Sequence, residues 1–161
     1  LSGQAAPPPT IPVAPTIALT PAERYRARLK DAHISFDVAT GIFDAVLSKG
    51  YYEEYIPLGK SRVTFRTRLY EDHLRLQTEL ELRKPDLAIS HEEIVTRFNL
   101  AATLYEYQGK ALKHGDEADL EAIMLLIKKM PGPVYHLLSR KLSEFDAKTM
   151  IVFSEGAAES F

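Results

Sequence analysis

The sequence predicts a mainly α protein: a compact helical domain of about five to six helices with one β-hairpin (about 51–69), preceded by an extended, proline-rich N-terminal arm. Three observations carry this. Apolar residues recur at helical spacing through most of the chain after residue 20. One stretch, "YYEEYIPLGKSRVTFRTRL", has strand composition on both sides of a Gly-Lys-Ser turn. Six of the ten prolines fall within the first 21 residues, and no charged residue precedes Glu23. The division is therefore 1–20 as arm and 21–161 as a single domain.

The arm reads as polyproline-like chain, because proline fixes φ and donates no backbone hydrogen bond. Ile11, Val13, Ile17 and Leu19 lie among its prolines and small residues. A spacer has no need of such anchors. An arm laid on a neighbouring subunit does. The opening stretch does not read as a signal peptide, since it lacks a basic start and prolines interrupt its apolar run. The first residue is Leu1, so the chain is either processed or part of a longer one.

Thr20-Pro21-Ala22-Glu23 has the form of a capped helix start, with a helix to about His33 carrying Tyr25, Leu29 and Ala32 on one face. A second helix, about 39–48, carries Ile42, Phe43, Val46 and Leu47 and stops at Gly50. In the hairpin, residues 51–57 and 62–69 are the strands. Alternation puts Val63, Phe65, Thr67 and Leu69 on one face and Arg62, Thr64, Arg66 and Arg68 on the other. Glu53 or Glu54 can pair with an arginine across the ladder. Residues 70–84 return to helical period and Pro85 ends them. Ser90-His91-Glu92-Glu93 opens a helix to about Tyr107, closed by Gly109. Its apolar residues cover much of its circumference, which places it at the centre of the core. A helix over 118–130 follows the acidic "HGDEAD". After Pro131-Gly132-Pro133 a last helix runs to about Glu155, with Val134, Leu138, Phe145, Val152 and Phe153 as its stripe and Leu142 and Met150 at its edges.

Composition narrows function more than motifs do. The formal net charge of −2 argues against a nucleic-acid-binding domain, which is usually strongly basic. The absence of cysteine excludes a disulfide scaffold, a thiol nucleophile and a cysteine zinc site, and fits a reducing compartment. No apolar run approaches the roughly 18 residues of a membrane span. The five histidines show no metal-ligand spacing, and the acids at 116–121 lack the glycine and terminal glutamate of a calcium loop. Glu53 and Glu54 point to opposite strand faces, which removes the simplest acid/base geometry. No phosphate-binding, dinucleotide or serine-nucleophile motif is present. The expectation is a protein that is not an enzyme and takes no cofactor or metal.

The most polarised feature is the arginine face of Arg62, Arg66 and Arg68. It reads as a protein contact, a solvated face or a single-stranded nucleic-acid contact, the last weakened because Phe65 points the other way and leaves no stacking pair. The terminal Phe161 reads as either a loose end or an anchor in a partner's pocket.

The order of these pieces resembles a known group. The hairpin with Phe65-Arg66-Thr67-Arg68-Leu69 leads to a helix; "RFNLAATLYEYQG" with Leu100-Ala101-Ala102 follows; then come an acid-rich turn, "MPGPVYHLLSRKLSEFD" and a final Glu159-Ser160-Phe161. Together, over about 51–161, they resemble the tail assembly chaperone and baseplate-hub-type proteins of tailed bacteriophages. That resemblance implies a small, non-enzymatic, mostly helical structural or assembly protein. Its partners would be other subunits of a symmetric assembly, with no small-molecule substrate and no membrane. Its place would be the virion, assembled in the host cytoplasm. The arm lies outside the resemblance and suits a permanent subunit. A transient assembly chaperone and a nucleic-acid adaptor using the arginine face are the alternatives.

Overall fold

The computed structural model describes residues 3–13, 17–83 and 90–161. Helix α1 (Pro21–Asp31) starts as its sequence dictates. Thr20 Oγ1 accepts from Glu23 N–H, and Glu23 reaches back to the Thr20 N–H at 2.7 Å. Helix α2 (Phe36–Lys49) begins three residues earlier than its apolar pattern suggests, because the Ser35 hydroxyl caps Val38 N–H. It stops at Gly50, which takes the left-handed conformation with φ 85°.

Strands β1 (Glu53–Leu58) and β2 (Ser61–Arg66) form the expected hairpin around Gly59-Lys60. Helices α3 (Tyr70–Arg83) and α4 (His91–Thr103) follow; Pro85, the expected terminator of α3, lies outside the described residues. Ser90 caps α4 through Glu93 N–H.

The expected helix to Tyr107 is corrected by the structure. α4 ends at Thr103, and β3 (Leu104–Tyr107) turns through Gln108-Gly109 into the short β4 (Lys110–Ala111). Both turn residues have positive φ, 52° and 76°, the backbone of a tight two-residue hairpin. The single hairpin is thus a four-stranded antiparallel sheet in the order β1-β2-β3-β4. β3 is pulled out of the helix because Leu104 fills the sheet's inner face opposite Phe65. Helix α5 (Glu117–Lys129), capped by Asp116, and α6 (Gly132–Val152) follow, and turns over 153–161 end the chain.

The main core lies between the inner sheet face and the helices. Ile56, Val63, Phe65 and Leu104 meet Leu100 and Ala101 of α4, Ile123 and Ile127 of α5, and Leu138, Leu142 and Phe145 of α6. A second cluster joins α1 and α2 to the end of α6 through Tyr25, Leu29, Ala39, Ile42, Val152 and Ala157. A third packs Leu76 of α3 on Phe98 and Ala102 of α4, so α4 is central to the fold. Some residues of the expected apolar stripes lie outside the core. Leu69 follows the end of β2 and is exposed, as are Met150 and Phe153 at the end of α6.

Candidate functional site

Over its described residues the arm forms neither helix nor strand and adds nothing to the sheet. Its apolar side chains are in solvent: Ile11 is 82%, Val13 90%, Ile17 88% and Leu19 52% exposed. Its root, in contrast, is fixed. Arg24 donates to the Leu19 carbonyl at 2.8 Å and pairs with Glu155 at 3.5 Å. Arg28 donates to Ser154 Oγ and to the Glu155 carbonyl. The Pro21 carbonyl lies directly against Gly156, which has φ 89°.

The outer sheet face carries Arg62 and Arg66. The Arg62 Nε donates to Glu106 at 2.7 Å, with its guanidinium 4.8 Å over the Tyr55 ring. This hydrogen bond and charge hold the Glu106 carboxyl below its ordinary range and raise Arg62 in turn. Arg66 pairs with Glu53 at 2.6 Å and is sandwiched between Tyr51 at 4.1 Å and Tyr105 at 4.5 Å. Tyr105 in turn stacks on His114 at 3.9 Å with the rings nearly parallel. The register shift between Thr64 and Phe65 explains Glu106's position: Tyr105 is one extra residue in β3 there, so Glu106, which strict alternation from Leu104 would turn inward, faces outward beside Tyr105. Burial pushes the Tyr105 phenol up.

Arg68, expected beside these two, leaves the face. β2 ends at Arg66, where Thr67 N–H turns to the Tyr52 carbonyl. Arg68 instead donates to Thr103 Oγ1 at 2.8 Å and to Asp146 at 3.0 Å, tying the end of α4 to α6. Phe161 packs within its own chain, stacked on Phe36 at 5.2 Å, beside Phe43 at 4.6 Å and edge-on to Tyr25. The eight expected contact residues thus fall into four places: an exposed arm, a paired arginine face, a half-buried tie between α4 and α6 and a terminal aromatic cluster.

Sequence reasoning missed Tyr51, Tyr55, Tyr105, His114 and Glu106, which complete the arginine face. Alternation in Leu104-Tyr105-Glu106-Tyr107 was the signal for the strand that brings two of them, Tyr105 and Glu106, in. Two grooves flank β1. One, of about 590 Å³, lies between α2 and the start of β1; the other, of about 500 Å³, lies between β1, the α1–α2 turn and α6. Among the described residues, no three metal-ligating side chains are grouped to hold an ion, and no helix is long and apolar enough to cross a membrane.

Compared with known protein families, curated proteins and solved structures, the chain has no match.

Proposed function

We propose that this chain is a non-enzymatic structural or assembly protein of a multi-subunit particle, and that its N-terminal arm binds neighbouring subunits. The observation that carries this reading is the exposure of Ile11, Val13, Ile17 and Leu19 on an uncharged, proline-braced segment whose root is locked to the domain. Apolar side chains displayed this way gain by burial against another surface. The resemblance to tail assembly chaperone and baseplate-hub-type proteins makes a tailed-phage tail or baseplate the particle of choice.

The arginine face supports protein contact over nucleic acid. Arg62 and Arg66 already hold carboxylates, so a phosphate would have to displace Glu106 or Glu53. The test is quantitative mass spectrometry of purified particles and of whole lysate, for the native chain and an Ile11→Asp/Val13→Asp variant. A fixed copy number in particles, lost in the variant, is the expected result. Presence in lysate with absence from finished particles makes it a transient chaperone. Equal incorporation of the variant refutes the arm's role.

A further inference from the structure

The groove between α2 and β1 has a shape that needs explaining. Val38, Gly41 and Ala45 form one wall, and Tyr51, Tyr52 and Tyr55 the other. Gly41 sits in the middle of α2, where glycine is a poor helix former. It is neither a cap nor a turn, and a Cβ built on it meets nothing within 4 Å. The missing side chain is therefore not required by packing inside the domain. It leaves the groove open along its helical wall.

The chain itself holds a segment of matching chemistry. Pro9-Thr10-Ile11-Pro12 places prolines three residues apart, one full turn of a polyproline II helix, so both lie on one ridge. Tyrosine-lined grooves recognise such ridges, because the flat pyrrolidine packs on the ring and little entropy remains to be lost. The backbone carbonyls of a polyproline helix have no internal partner. Tyr55, which is 60% exposed, and Lys49 both line the groove and carry a hydroxyl and an ammonium that can donate to them. The arm brings no charge to bury. In the isolated chain Ile11 and Val13 remain in solvent, so the segment does not occupy its own groove.

We infer that the α2–β1 groove receives the Pro9–Val13 segment of a second copy of this chain. This rests on the assembly reading and names one of its partners. If two copies exchange arms, the pair closes; if each arm reaches onward to a new copy, a ring or filament grows.

The test is sedimentation equilibrium of the full chain over a wide concentration range. Concentration-dependent association is expected, and the peptide APPPTIPV, matching residues 6–13, should reverse it. Gly41→Leu fills the groove while improving the helix, so it should weaken association tenfold or more with the melting temperature unchanged or raised. Ile11→Asp/Val13→Asp should weaken it equally from the other side. A monomer at every concentration overturns the inference, as does unaltered association in Gly41→Leu. If the chain is monomeric yet the arm variant still fails to enter particles, the groove is wrong and the assembly reading stands. If the arm variant enters particles normally, the assembly reading falls by itself.

Discussion

Replacing Gly156 by alanine should destabilise the domain far more than the same change at Gly50, although both glycines have nearly the same φ, 89° and 85°. An L-residue in that left-handed region costs about 1–2 kcal/mol. The loss of unfolded-chain entropy returns about 0.4–1 kcal/mol. At Gly50 nothing lies within 4 Å of the new methyl group, so the net cost is about 1 kcal/mol. At Gly156 the methyl group collides with the Pro21 carbonyl, comes within 2.7 Å of its carbon, and lies 3.1 Å from Tyr25 Cβ. Backbone cannot swing aside as a flexible side chain can. Forced overpacking adds about 1–3 kcal/mol, for a total of about 2–4 kcal/mol. For a chain of this size that is a fall of roughly 4–16 °C in melting temperature. Urea unfolding followed by circular dichroism measures both variants. Equal losses at the two positions would show that α1 does not press on the C-terminal segment, and would remove the rigid root proposed for the arm.

Three further outcomes test the geometry. Arg68→Ala strips the Thr103 hydroxyl, which is fully buried, and Asp146 of their shared donor, so it should cost about 1–3 kcal/mol in the same assay. Tyr25→Phe removes the buried bond from the phenol to the Val152 carbonyl at 2.8 Å and should cost about 1–2 kcal/mol with no change in fold. Arg62→Gln should raise the Glu106 carboxyl toward its ordinary range, read by NMR titration. The sign follows from a folded-state pKa below the unfolded one: the pairing contributes above the ordinary carboxylate range and is lost as pH falls through the lowered value.

Local chemistry made the helix starts legible. Thr20 and Glu23 form both halves of the expected capping box, while Ser90 accepts from Glu93 N–H and the Glu93 carboxylate turns instead to Arg97 and Tyr135. The first hairpin was legible for the same reason, as was a glutamate–arginine pair across it; which glutamate and which arginine, Glu53 and Arg66, is set by the register. The end of α4 was not. Leu100 to Tyr105 is an apolar run that suits a helix as well as a strand, and what decides is distant: Phe65 offers Leu104 a partner in β2. Arg68 escapes the alternation because β2 ends two residues before it. There Leu69 N–H turns to the Asp72 carboxylate at 2.8 Å, and the chain is already entering α3. The stack of Tyr51, Arg66, Tyr105 and His114 joins four segments, and no single window of sequence contains it.

The same separation of local and distant effects sets how the arm would work under the proposed assembly role. Its four apolar anchors supply about 1.5–3 kcal/mol each when fully buried. Bringing two molecules together costs about 4–15 kcal/mol before any side chain is ordered. One arm on one surface is therefore a weak contact, even with its prolines holding φ in advance. The fold compensates at the root. Thr20, Arg24 and Arg28 fix the exit of the chain against the C-terminal segment, so only the residues beyond Leu19 remain to be ordered. Once one contact to a particle is made, a rooted arm meets its surface at high effective concentration and the remaining contacts become intramolecular. Under the proposed role, an arm built this way would release readily from a free partner and hold firmly within an assembly. Charging Ile11 and Val13 should accordingly cost more in a many-copy particle than between two isolated chains, and measuring the same variant in both settings gives that ratio directly.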